Sequence, residues 1–211
     1  MRIVVTGATG NVGRHVVDQA LARDLEVVAV ARDPRALDSG IPRLRVAAVD
    51  VLDAEGVQNV LEGADAVVSC VGIGTSRTPT TLCSQGTRNI VDGMARHGVG
   101  RLVVISSEVA EHWAHQGPVK LWIVLPLLQR FLGATYDDMR RMDIVLWESA
   151  ARWTAIRAPR IRPVDPRGSY RSSTAGPLRR GWSITAPDMA AALLDIVERD
   201  DLDRRHVYVA N

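Results

Sequence analysis

The chain predicts an α/β fold built on one doubly wound parallel sheet, and three observations carry that expectation. Short apolar runs alternate with amphipathic stretches along the 211 residues. The runs, Ala66-Val67-Val68 and Leu102-Val103-Val104-Ile105 among them, show no polar alternation, as strands covered on both faces require. The first run passes directly into a helical stretch through three glycines.

Strands are expected at 2–6, 26–31, 44–49, 65–71, 101–105, 153–157 and 206–209, and helices at 12–23, 54–62, 80–97, 135–150 and 187–199. Ile3-Val4-Val5 is the first strand. Val12, Val16, Val17, Ala20 and Leu21 share a face of the helix that follows, and Val27-Val28-Ala29-Val30 is the next strand. With no Pro/Gly/Ser-rich linker to divide it, 1–211 reads as a single domain with a small C-terminal substrate-side region. Two stretches depart from the alternation. Residues 112–134 hold a proline-broken apolar run, Pro118 to Leu128, too short to span a bilayer and expected to form a flap or a subunit contact. The loop 158–186 and its approach hold Arg157, Arg160, Arg162, Arg167, Arg171, Arg179 and Arg180 against the single acid Asp165. Most of these arginines should be solvated, while one or two near the sixth strand are candidates for an anionic substrate or cofactor.

Thr6-Gly7-Ala8-Thr9-Gly10-Asn11-Val12-Gly13 has the spacing of a dinucleotide cradle. Gly7 permits the tight turn, Gly10 lets backbone approach a pyrophosphate, and Gly13 lets the helix pack closely on the strand. Free N–H groups at the helix start face the phosphates. The fold is therefore expected to be Rossmann-type, with ligands beyond the carboxyl ends of the strands.

Hydrophobic residues at 46% and charged residues at 24% fit a globular domain, and a formal charge of +2 gives no reason to expect nucleic acid. The N-terminal apolar run is too short and too soon interrupted for a signal peptide or membrane span, so a cytoplasmic address is expected. Cys70 and Cys83 lack metal-ligand spacing and read as reduced packing residues. Glu108, His112 and His115 would share a helix face, but no further ligand cluster accompanies them and no metal is expected.

Val49-Asp50-Val51-Leu52-Asp53, Val71-Gly72, Gly86-Thr87-Arg88-Asn89-Ile90-Val91, Ser106-Ser107 and Trp153 to Pro159 join the glycine turn in a pattern covering nearly the whole length. On these residues the chain resembles an atypical short-chain dehydrogenase, and more narrowly the NmrA-like, NAD(P)H-binding group that includes flavin reductases. Pro79-Thr80-Thr81 lies in the stretch of closest likeness. The resemblance implies cofactor contact from Gly7, Thr9, Gly10, Asn11 and Val12, adenine contact from Asp50 and Val51, nicotinamide-side contact from Val71, Gly72 and the Ser106-Ser107 pair, and backbone contact from Pro159, Arg160 and Ile161. Met139 stands where that group's flavin reductases carry a histidine. Arg32 holds the position that binds a 2′-phosphate in this family, with Arg35 a second charge nearby, so NADP(H) is expected over NAD(H).

Ordinary members of the superfamily use Tyr-x-x-x-Lys as proton donor and its activator. Lys120 is the single lysine of this chain and has Gln116 four residues before it. Counting back from Glu148 instead puts Ile144 and Arg140 at the two positions. Ser107, at the end of the fifth strand, is the candidate for orienting a substrate. Tyr136 and Arg140, four residues apart on one helix face, are candidates for acid and activator. A hydride acceptor that needs no such dyad is flat and conjugated: a flavin, a quinone or a polyketide-like aromatic. The alternative is a non-catalytic NADP(H)-binding redox sensor acting through a protein partner. The expected state is monomer or homodimer, with a small aromatic substrate as partner.

Overall fold

The computed structural model describes residues 1–37, 40–72, 80–108 and 125–211, with the side chains of 125–135 outside that description. The elements are β1 (Arg2–Thr6), α1 (Gly13–Ala22), β2 (Glu26–Ala31), β3 (Leu44–Ala48), α2 (Ala54–Val60), β4 (Ala66–Ser69), α3 (Leu82–His97), β5 (Arg101–Ser107), α4 (Leu125–Glu148), β6 (Arg152–Ala158), β7 (Arg160–Arg162), β8 (Arg171–Ser173), β9 (Ser183–Thr185), α5 (Ala186–Val197) and β10 (Arg205–Ala210). The main sheet has the order β3-β2-β1-β4-β5-β6-β10-β8. Its pairings are parallel except the last, in which β8 runs against β10.

Alternate residues of each central strand feed two cores, one on either face. Ile3, Val5, Val27, Ala29, Val68 and Val103 pack with α1 and α5, where Val16, Ala20, Met189 and Leu193 are buried. Val4, Val28, Val67, Leu102, Val104 and the fully buried Trp153 pack with α2, α3 and α4. Both faces are therefore dry, which is why the strands read as unbroken apolar runs.

Helix ends are fixed by local chemistry. Asp53 caps α2 by accepting from the Gly56 N–H, and Thr185 caps α5 by accepting from the Asp188 N–H. At the opposite end of α5, buried Arg101 donates to the Ile196 and Val197 carbonyls of the last turn and to the Arg199 carbonyl just beyond it. Asp138 of α4 is fully buried and accepts from the Cys83 and Ser84 N–H groups at the start of α3, and from the Ser84 hydroxyl. A side chain on one helix thus caps its neighbour. α1 differs: no side chain caps its start.

The strands and helices fall where the apolar periodicity puts them, within a few residues. Two findings go beyond it. α4 begins at Leu125, ten residues ahead of the expected start, so the second half of the expected flap is helix; 112–124 lie outside the described residues. The arginine-rich loop contains β7 and β9, which pair in parallel as a separate two-stranded sheet, and β8, which extends the main one.

Candidate nucleotide site

The strand order reverses between β1 and β4, and a cleft of about 440 Å³ opens there at the carboxyl edge. It is lined by Thr6, Gly7, Thr9 and Gly10 after β1, by Val30 to Asp33 after β2, by Val49 to Val51 after β3, by Cys70 to Gly72 after β4, and by Leu82. Eight of the expected cofactor residues meet in it: Gly7, Thr9, Gly10, Arg32, Asp50, Val51, Val71 and Gly72.

The turn after β1 tolerates no side chain at two of its glycines. Gly7 has φ of +71° and a Cβ there would stand 2.8 Å from the Cys70 carbonyl oxygen. A Cβ at Gly13 would stand 2.1 Å from the Gly7 oxygen, so the first turn of α1 lies directly on the loop. With no cap on α1 and no acid in its first turn, the helix start offers its N–H groups and positive dipole end beside the cleft. This is the donor set a pyrophosphate requires, and the residues present fit a dinucleotide.

Charge at the far wall is sorted by a local pair. The Asp33 carboxylate receives both Nε and Nη2 of Arg35, and that hydrogen bonding holds it below the usual carboxylate range. Arg35, expected as a second charge nearby, is thereby paired with Asp33. Arg32, exposed and on the cleft wall, has no ion-pair partner among the described residues. Asp50 accepts from the Leu52 N–H at 3.0 Å, which fixes the turn after β3.

The remaining expected residues are distributed differently. Asn11 is exposed at the start of α1, and the Val12 side chain is buried in the core. Pro159 is half-buried, Arg160 is exposed, and Ile161 packs against the core from β7. The Ser106 hydroxyl accepts from Nη1 of Arg157 at 2.8 Å; Ser107 is half-buried beside it. Tyr136 is buried, and desolvation pushes its phenol up. Arg140 donates to Asp137 at 2.9 Å. Glu108 is buried, while His112 and His115 lie outside the described residues.

One cluster was not anticipated. Arg157, buried on β6, donates through Nη2 to Asp143 of α4 at 2.6 Å, and His206 Nε2 of β10 lies 3.1 Å from the same nitrogen. Arg157 is therefore an internal ion-pair partner and not a group facing an anionic ligand. His206 belongs to this cluster behind Ser106.

Fold and cleft together define an NAD(P)-binding Rossmann domain. The profile of the NAD(P)H-binding family matches residues 7–200, and the chain belongs to that family. It is 36% identical over 107 residues to an uncharacterized protein of Mycobacterium tuberculosis, covering 51% of this chain and 12% of that protein. It is 34% identical over 120 residues to cinnamoyl-CoA reductase 1 of Oryza sativa subsp. japonica, covering 52% of this chain and 35% of the reductase. The chain thus spans far less than the full length of these curated relatives. Among solved structures, a short-chain dehydrogenase/reductase of Veillonella parvula in complex with NADP superposes with a TM-score of 0.83 at 16% identity, over 100% of this chain and 94% of that one. Among the described residues no helix is long and apolar enough to cross a membrane.

Proposed function

We propose that the protein is an NADPH-dependent reductase that delivers a hydride to a flat conjugated acceptor such as a flavin, a quinone or a polyketide-like aromatic. The observation that carries the cofactor preference is Arg32, a guanidinium on the cleft wall at the end of β2 with no ion-pair partner among the described residues, next to an Asp33 already bound by Arg35. A ribose hydroxyl would meet a carboxylate already offset by Arg35, whereas a 2′-phosphate would meet the Arg32 guanidinium.

A reduced nicotinamide, when bound, supplies the hydride. Gly7, Thr9, Gly10 and the start of α1 hold the pyrophosphate, Asp50 and Val51 the adenine side, and Val71 and Gly72 the nicotinamide side. Ser107 orients the acceptor at the end of β5. The protein contributes proximity and orientation, and water supplies the proton, because the reduced anion of such an acceptor is delocalised and needs no strong acid. The buried Tyr136, with its phenol pushed up and Arg140 turned to Asp137, fits a positioning role better than that of an activated acid.

The test is oxidation of NADPH and, separately, NADH with FMN, riboflavin, small quinones and a panel of polyketide-like aromatics. Turnover that Arg32→Asp abolishes for NADPH and spares for NADH supports the reading. Tight NADPH binding without turnover by any acceptor overturns the reductase and leaves the redox sensor; failure to bind either nucleotide overturns both.

A further inference from the structure

The segment that follows β6 is cationic. β7 follows β6 with only Pro159 between them, and Ala158, the last residue of β6, lies opposite Ser107 in the sheet register. Arg160 and Arg162 therefore stand just beyond the carboxyl edge, one step from the serine that orients the acceptor. They alternate with Ile161, which packs into the core, so both occupy the opposite face of β7.

Neither guanidinium has an ion-pair partner among the described residues; Asp165, three residues beyond Arg162, is exposed and pairs with neither, and Asp143 and Asp188 are committed elsewhere. Asp143 is bound by Arg157. Asp188 accepts from the Thr185 hydroxyl, the Arg167 and Gly168 N–H groups and the Asn211 amide. Ser183 lies opposite Arg160 in the β7–β9 register, and the residue before it, Trp182, is 64% exposed, more than any other large apolar side chain described. Two arginines with no ion-pair partner among the described residues, on the strand paired with the one that the exposed Trp182 precedes, match a planar ring bearing an acidic group.

Resting on the reductase reading above, we propose that the acceptor is an aromatic anion: Arg160 and Arg162 take its phosphate, carboxylate or sulfonate, and Trp182 covers a face of its ring. FMN and riboflavin test this, because they share a ring and differ in the phosphate. Wild-type kcat/KM should favour FMN by about tenfold, mostly through KM, and added salt should erode that preference. Arg160→Gln with Arg162→Gln should bring the ratio to about one, and the paired lysine variants should keep several-fold of it. A wild-type ratio near one, or a ratio that survives the glutamine variants, overturns the proposal. So does a glutamine variant that loses NADPH affinity in place of FMN affinity, since the arginines would then serve the cofactor. Equilibrium binding followed by flavin fluorescence separates this proposal from the one it rests on. FMN preference in binding without turnover removes the reductase and keeps the anion site; turnover without preference does the reverse, and binding of neither flavin removes the anion site.

Discussion

Gly13 shows how much a single hydrogen atom controls. Its missing Cβ is what allows α1 to start within 2.1 Å, measured from that absent carbon, of the Gly7 oxygen. Gly13→Ala must lift the helix off the turn and misdirect the N–H groups toward the pyrophosphate. We expect NADPH affinity to fall by more than about tenfold, with stability reduced by about 1–3 kcal/mol, read by titration and urea unfolding. The thiols make a second prediction. Burial pushes Cys70 up to about 12 and, with the Asp138 carboxylate alongside, Cys83 to about 12, from an ordinary value of 9.0. Between those limits the folded state holds protons that the unfolded state releases. Stability contributed by each thiol is therefore complete below pH 9.0 and is lost as pH rises toward 12, at about 1.4 kcal/mol per pH unit for each group. Tyr170, whose phenol is raised by burial and by donating to Asp195, adds loss in the same direction. Cys70→Ala and Cys83→Ala should flatten the alkaline limb of the stability profile, and both native thiols should resist iodoacetamide at pH 8, where a surface thiol reacts.

Among the elements, the α3–α4 pair depends on one carboxylate. Asp138 replaces the missing local cap of α3, since Thr81 makes no capping bond with its side chain. Asp138→Ala strands two buried N–H donors and should cost about 2–4 kcal/mol, with faster amide exchange at Cys83 and Ser84 as the local signature. A uniform rise in exchange would instead make Asp138 a generic packing residue. The same scale explains what the sequence made legible. Parallel strands buried on both faces declare themselves as apolar runs, and Thr6 to Gly13 declares the turn. The start of α4 was hidden because Pro126 reads as a breaker in mid-pattern, yet in the first helical turn its missing N–H costs nothing. β7, β8 and β9 are three residues each, with sequences Arg-Ile-Arg, Arg-Ser-Ser and Ser-Ile-Thr, too short and too polar for periodicity to register. Their pairing comes from tertiary neighbours, not from local preference.

At the scale of the whole molecule, the cleft was legible because its residues follow strand ends in order, whereas the support behind it joins side chains far apart in sequence. Arg157 and Asp143 tie α4 to the sheet, with Ser106 and His206 completing the contact. Nothing in the spacing of 106, 143, 157 and 206 announces this. The pair is nearly dry, at 4% and 14% side-chain exposure, so each charge depends on the other. Arg157→Met alone leaves Asp143 buried and uncompensated, and should cost about 3–5 kcal/mol in urea unfolding. Asp143→Leu alone should cost a similar amount. The double variant should recover most of the loss, because two apolar side chains avoid the desolvation that the ion pair must offset. If the pair also holds Ser106 and Ser107 in register with α4, the stable double variant will still turn over slowly, with kcat reduced and the KM for NADPH unchanged. Additive losses would show two independent packing residues. Recovery of both stability and kcat would show that the ion pair fastens the fold and has no part in placing the acceptor.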